Sequence, residues 1–68
     1  MLKTNTLPDR DERVKVCDEL FELHNHVNQV IGAAVTEIMH GADIKAIVRQ
    51  TGRAIIQSAA ETAERLTR

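Results

Sequence analysis

Apolar residues recur between positions 14 and 39 at alternating steps of three and four residues, the spacing of an α-helix that buries one face. The pattern predicts a seam of core and dimer contacts made of Cys17, Leu20, His24, Val27, Ile31, Ala34 and Ile38. Further apolar residues flank the seam, with Val16, Leu23 and Val30 on one side and Val14, Phe21 and Val35 on the other. A seam with two apolar flanks is too wide for one neighbour and is typical of a helix that packs against two others in a bundle.

Start and stop signals divide the chain into two helices. Thr6 can cap a helix, and Pro8 fits a first turn because no hydrogen bond is lost there. Gly41 favours a left-handed stop, and Asp43 favours a cap for a second helix. The expected elements are helix one over about 7–40, a turn over 41–43 and helix two over about 44–66. A turn this short makes the helices antiparallel, so we predict an all-α, two-helix hairpin that forms a single domain over residues 1–68.

The second helix has many small residues on its apolar face, which favours close packing against helix one. Folding the chain about Ala42 places Gly32 opposite Gly52, and this predicts a close approach of the two backbones. The apolar face of helix two is expected to comprise Ile44, Ile47, Val48, Thr51, Ile55, Ala59, Thr62 and Leu66.

A chain of 68 residues buries little apolar surface and needs a further source of stability. Its single cysteine, Cys17, cannot form an internal disulfide, and at a seam position we expect it to be a small buried side chain in a reducing compartment. One hairpin leaves half of its wide seam in water, whereas two hairpins related by a two-fold axis bury that half. The sequence therefore predicts a homodimeric four-helix bundle.

Composition argues against several classes of function. The formal net charge of −1 gives no general attraction to nucleic acid or to a membrane. Phe21 is the only aromatic residue, so the chain lacks the rings on which RNA and single-strand binders stack bases. No apolar run is long enough for a membrane span, and the polar start lacks the apolar segment of a signal peptide. We expect a cytoplasmic protein.

Two sets of residues invite a catalytic or metal-binding interpretation that their positions do not support. His24, Asn25 and His26 spell the His-Asn-His of a class of nucleases, but those enzymes draw the residues from separate elements. On one helix the two histidines point roughly 200° apart. Glu37 and His40 have the Glu-x-x-His spacing of di-iron bundles, yet both lie off the seam.

His24 lies within the seam, between Leu20 and Val27. It fits either a hydrogen-bonded core histidine or a polar layer that fixes the register of the helices and responds to pH. Cys17 and His24 lie two turns apart and lack a third group, so a nucleophile, a base and an orienting group do not come together. We expect no enzyme activity, no catalytic or metal-binding residue and no cofactor.

Charge gives the strongest functional signal. Residues 9–22 contain six acids and three bases, whereas helix two is mainly basic. Lys45, Arg49 and Arg53 are four residues apart and therefore share one side of helix two, together with Ile56. We call these four residues the basic ridge. They form either a solvated face that keeps the protein dissolved or a patch that binds an acidic surface of another protein, with Ile56 as an apolar anchor.

The same part of the chain allows a DNA-binding alternative. If Gly52 ended a helix, residues 44–51, a turn at 52–53 and residues 54–66 would form a helix-turn-helix. Against this alternative, no residue caps the supposed recognition helix, and Ala59, Glu61 and Glu64 are poorly suited to contact bases or phosphates.

In size, position of the turn and hairpin plan, the chain resembles Rop-type dimeric bundles and the small helical-hairpin proteins with which phages take over their hosts, including the anti-quorum-sensing type. The resemblance covers the layout of the whole chain, rests on no diagnostic motif and assigns no residue. Rop-type RNA binding would need a basic, partly aromatic face on helix one, which is acidic over its first half here. The phage resemblance implies a non-enzymatic inhibitor that occupies the surface of a partner such as a host transcriptional activator.

Overall fold

The computed structural model describes residues 10–68, which form two helices packed against each other as a hairpin. Helix α1 spans Arg10–Met39, and helix α2 spans Ile44–Leu66. The predicted all-α hairpin is confirmed, with α1 ending one residue earlier than expected. The predicted start of helix one near residue 7 lies outside the described residues. Neither of the two helices is both long enough and apolar enough to cross a membrane.

The end of α1 is closed by backbone hydrogen bonds and a left-handed glycine. The amide of Ala42 donates to the carbonyl of Glu37, and the amide of Gly41 donates to the carbonyl of Ile38, each at 3.0 Å. This is the Schellman pattern, which satisfies the last carbonyl groups of a helix. Gly41 has a φ of 95°, so the predicted left-handed stop is confirmed.

Helix α2 begins at a side-chain cap and continues without interruption to Leu66. The carboxylate of Asp43 accepts a hydrogen bond from the amide of Ala46 at 2.8 Å, as predicted for an N-cap. The helix passes through Gly52 without a turn. The helix-turn-helix, which requires a turn there, is therefore not formed.

Contact between the helices uses one predicted flank of the seam. Val16, Leu23 and Val30 are half-buried, and the last two line grooves together with residues of α2. The half-buried residues of α2 are Ile47, Thr51, Gly52, Ala54, Ile55, Ser58 and Leu66. Thr62 is 5% exposed, and no apolar side chain within residues 10–68 is buried. The hairpin alone therefore has no closed hydrophobic core.

The predicted close approach at Gly32 and Gly52 is wrong. A methyl group at either position would meet no other part of the protein within 4 Å. Gly32 is exposed, whereas Gly52 is half-buried and lines a groove with Ala34 and Ile38 of α1 without close contact between the backbones.

Candidate protein-binding surface

The basic ridge lies on the side of α2 that is turned away from α1. Lys45, Arg49 and Arg53 are all exposed, and their four-residue spacing keeps them on one side of the continuous helix. Ile56 is 71% exposed, although isoleucine is among the residues most often buried. The structure thus brings the four residues together in one exposed strip, ~17 Å long at ~1.5 Å per residue.

The three bases of the ridge form no ion pair with any acid of residues 10–68. The ion pairs that α2 forms within residues 10–68 use other bases, Arg65 with Glu19 at 2.8 Å and Arg68 with Glu64 at 3.9 Å. Lys45 lies in the first turn of α2, which contains no acidic residue and where the helix dipole is positive. The ridge is therefore a patch of positive charge that the hairpin itself does not neutralise.

A second exposed surface is apolar and extends across both helices on one side of the hairpin. One open groove on it is lined by α1 alone and another by both helices. Ile38 of the second groove continues the seam of the first in seven-residue steps, so the two grooves open on the same side. We call this surface the apolar face, and it comprises Cys17, Leu20, Phe21, His24, Ile31, Val35, Ile38, Val48, Gly52 and Ile55.

The predicted seam is divided between the contact with α2 and the apolar face. Three of its members, Val27, Ala34 and Ile38, are half-buried. The other four, Cys17, Leu20, His24 and Ile31, are exposed in the hairpin. Cys17 was expected to be buried, and no neighbour within residues 10–68 covers it. Exposure of half the seam is expected when a seam is wide enough for two neighbours, because in one hairpin only half of it can face α2.

An ion pair joins the helices on the opposite, polar side of the hairpin. The guanidinium Nη2 of Arg65 donates to Oε1 of Glu19 at 2.8 Å. This hydrogen bond and the negative charge of Glu19 raise the pKa of Arg65, because both favour the charged guanidinium. Glu22, His26 and Ser58 line the groove beside the pair. The two broad sides of the hairpin thus differ in chemistry.

The sequence analysis did not predict this pair. A signal for it was present, because acids are concentrated in the first half of α1 and Arg65 lies in the last turn of α2. An antiparallel hairpin folded about Ala42 brings these two parts of the chain to the same level.

Within residues 10–68, potential catalytic and metal-binding groups are not brought together. His24 lies on the apolar face and His26 in the polar groove, so the prediction that the two histidines point to different sides is confirmed. Nδ1 of His40 lies 2.7 Å from the carbonyl oxygen of Thr36, a contact within the end of α1. In the part of the chain that the structure describes, no group of three His, Cys, Asp or Glu side chains could hold a metal ion.

Comparisons with protein-family models, with curated proteins and with solved structures found no match to this chain. The resemblance to phage-encoded hairpins stays a prediction from layout. The interpretation of function depends on the basic ridge and the apolar face.

Proposed function

We propose that this protein is a homodimeric, non-enzymatic regulator that binds another protein and inhibits it by occupying its surface. The observation that carries the proposal is the apolar face. No apolar side chain of residues 10–68 is buried, while Leu20, Phe21, Ile31 and Val48 are between 43% and 67% exposed. Such a hairpin gains little from the hydrophobic effect to offset the entropy of folding, so it is suited to association with other polypeptides.

The dimensions of the apolar face fit a second copy of the chain. Exposed apolar residues extend along α1 from Val14 to Met39, roughly 38 Å, and two adjacent helices give a width of ~20 Å. Two copies that meet through this face would remove roughly 1,500 Å² from water in total, which lies within the ~1,200–2,000 Å² of stable interfaces. Full burial of each Leu, Ile or Phe contributes ~1.5–3 kcal/mol. The proposed dimer is therefore a four-helix bundle.

The basic ridge is the proposed binding site for the other protein. It lies on the outward side of α2, so it stays exposed when two apolar faces meet. Three uncompensated bases attract an acidic surface, and Ile56 supplies an apolar contact at the end of the strip. A symmetric dimer carries the ridge twice and could therefore bind two copies of its partner.

Occupancy of a surface is the proposed mechanism, and it needs no reacting group. The resemblance in layout to phage-encoded hairpins extends the proposal to a host regulatory protein, such as a transcriptional activator, as the partner and to the cytoplasm as the place of binding. The chemical requirement on the partner is an acidic surface with a small apolar depression.

Light scattering on the purified chain at micromolar concentration tests the dimer. We expect twice the chain mass of 7.6 kDa. Leu20→Asp should give monomeric or unfolded protein, because a carboxylate in the interface would lose its water without gaining a partner. Gln29→Asp adds the same group on the polar side of α1 and should keep the mass and the helical content. A well-folded wild-type monomer would contradict the proposal.

Capture of a partner from the lysate of the native host, followed by charge reversal, tests the ridge. Arg49→Glu with Arg53→Glu should abolish binding of the captured protein because like charges would face each other. Helical content and dimer mass should not change, since exposed charges contribute little to folding. Lys15→Glu with Arg68→Glu is the matched control, because it changes the net charge equally outside the ridge.

Ile56→Ala separates the apolar contribution from the charged one. It should weaken binding of the captured partner to a similar extent at low and high salt, whereas the effect of each ridge base should decrease with salt. If the double charge reversal left affinity intact, the ridge would be merely a solvated face. Tight binding of duplex DNA with a steep salt dependence would instead identify nucleic acid as the partner.

A further inference from the structure

We infer that the two copies of the proposed dimer pack with their α1 helices antiparallel, so that His24 of each copy lies level with Asn28 of the other, beside the two-fold axis. This inference depends on the proposed homodimer and specifies which residues meet within it. Its starting point is the position of these two polar residues, which are exposed within the apolar stripe of α1.

The outward stripe of α1 is symmetric about its centre. Its members follow steps of three and four residues and are the exposed Val14, Cys17, Phe21, His24, Asn28, Ile31 and Val35 and the half-buried Ile38. The centre is position 26, and on each side of it the stripe has one polar residue followed by three apolar ones. An antiparallel pairing about a two-fold axis places such a stripe against itself without a mismatch.

In this register every layer joins residues of like polarity. The apolar layers pair Phe21 with Ile31, Cys17 with Val35 and Val14 with Ile38 of the second copy. A shift by one layer would place His24 against Phe21 and Asn28 against Cys17. Polar groups would then be buried without partners, which is unfavourable. In the inferred register the imidazole and the carboxamide can hydrogen-bond to each other.

The positions of apolar residues along α2 indicate the same two-fold axis. Four apolar residues that share one side of α2 are symmetric about position 57, with the exposed Val48 paired with the half-buried Leu66, and the half-buried Ile55 paired with the exposed Ala59. His26 and Ser58 line the same groove, so the centre of the α1 stripe lies at the level of residue 58. The two centres agree to within one residue, or ~1.5 Å along the helix. Both helices can therefore meet their symmetry mates about one axis.

The ends of the helices are complementary in charge in this arrangement. Helix α1 has no basic residue in its last turn, where the helix dipole is negative. The first turn of α1 contains the bases Arg10 and Arg13 as well as the acids Asp11 and Glu12. The two bases lie four residues before Val14 and Cys17, so they share the side of the stripe and would lie level with that end in the second copy. Each copy would thus supply the bases that the other lacks.

Disulfide trapping tests the register with the native cysteine. Val35→Cys adds a thiol level with Cys17 of the second copy, whereas the two thiols of one chain lie ~27 Å apart on the same helix. Oxidation of this variant should convert most of the protein into a closed, covalent dimer on a non-reducing gel. Wild type should stay uncrosslinked under the same conditions, because its two Cys17 residues would also lie ~27 Å apart.

Gln29→Cys is the matched control, since it adds a thiol on the polar side of α1 and should give no covalent dimer. Light scattering on the wild type, carried out first, tests the dimer separately from its register. A monomeric wild type would contradict the dimer and the register together. A dimeric wild type that crosslinks through Cys17 alone, or a Val35→Cys dimer that does not crosslink or forms a ladder, would overturn the register and leave the dimer standing.

A distance measurement covers the case in which Val35→Cys fails to fold. Spin labels at Lys15→Cys in a Cys17→Ala background report the separation of the two α1 starts without disturbing the apolar face at position 35. The antiparallel register predicts an axial separation of ~33 Å. Labels at the same level would be separated by no more than two helix diameters, roughly 20–24 Å, and that result would overturn the inference.

Discussion

At the scale of single residues, Gly41 is the residue of the turn whose backbone conformation is most restrictive, because its φ of 95° lies in the left-handed region. A side chain with a Cβ is strained there, so Gly41→Ala should lower the free energy of unfolding by about 1–2 kcal/mol. Gly41→Asn should lower it less, because asparagine tolerates this conformation best among non-glycine residues. Urea denaturation at one fixed protein concentration measures both changes. Equal losses for the two variants would contradict the argument.

The pair of Glu19 and Arg65 is the second residue-scale feature that can be tested. Both side chains are accessible to water, at 28% and 51% of their surfaces, so salt should screen their attraction. Glu19→Gln should lower the melting temperature slightly at low salt and leave it unchanged at about 1 M salt, where the Debye length is ~3 Å. Asp18→Asn removes a neighbouring charge as the control. A loss that persisted at high salt would show that Glu19 acts through packing rather than charge.

At the scale of the elements, the start of α2 depends on one carboxylate. Asp43 accepts a hydrogen bond from the amide of Ala46, which has no partner within the helix. Asp43→Ala should therefore lower the free energy of unfolding by about 1 kcal/mol, and Asp43→Asn, which keeps an acceptor oxygen, by clearly less. Denaturation curves and the helical content of residues 44–47 by NMR measure the effect. An alanine variant as stable as wild type would show that tertiary contacts alone fix this end.

The elements themselves were largely predictable because their signals are local. The helical period, Gly41 and Asp43 predicted the hairpin and its turn to within a residue. The rotation of α1 about its own axis was less accessible, because a seam with two apolar flanks looks alike from both sides. The structure turns Leu23 and Val30 toward α2 and leaves Leu20 and Ile31 outside. This choice depends on contacts between residues remote in sequence, such as Leu23 and Thr62, which line the same groove.

The candidate site was predictable in part for a related reason. The four-residue spacing of Lys45, Arg49 and Arg53 places them together on any continuous helix, and the structure shows the helix to be continuous. Gly52 was the uncertain point, since one glycine can end a helix or lie within it at a cost of ~1 kcal/mol. Which partner the ridge meets depends on a surface outside this chain, and no pattern within the chain encodes that surface.

At the scale of the whole molecule, residues 10–68 bury no apolar side chain, and we therefore propose that stability depends on a second chain. Unfolding of a dimer releases two chains, so its melting temperature increases with protein concentration. A 100-fold increase in concentration corresponds to ~2.7 kcal/mol and should raise the melting temperature by roughly 5–10 °C. Circular dichroism in cells of different path length measures this shift. The double variant Arg49→Glu, Arg53→Glu should show the same slope, because the ridge lies outside the proposed interface. A melting temperature independent of concentration would show that one hairpin folds alone, and the apolar face would then need another occupant.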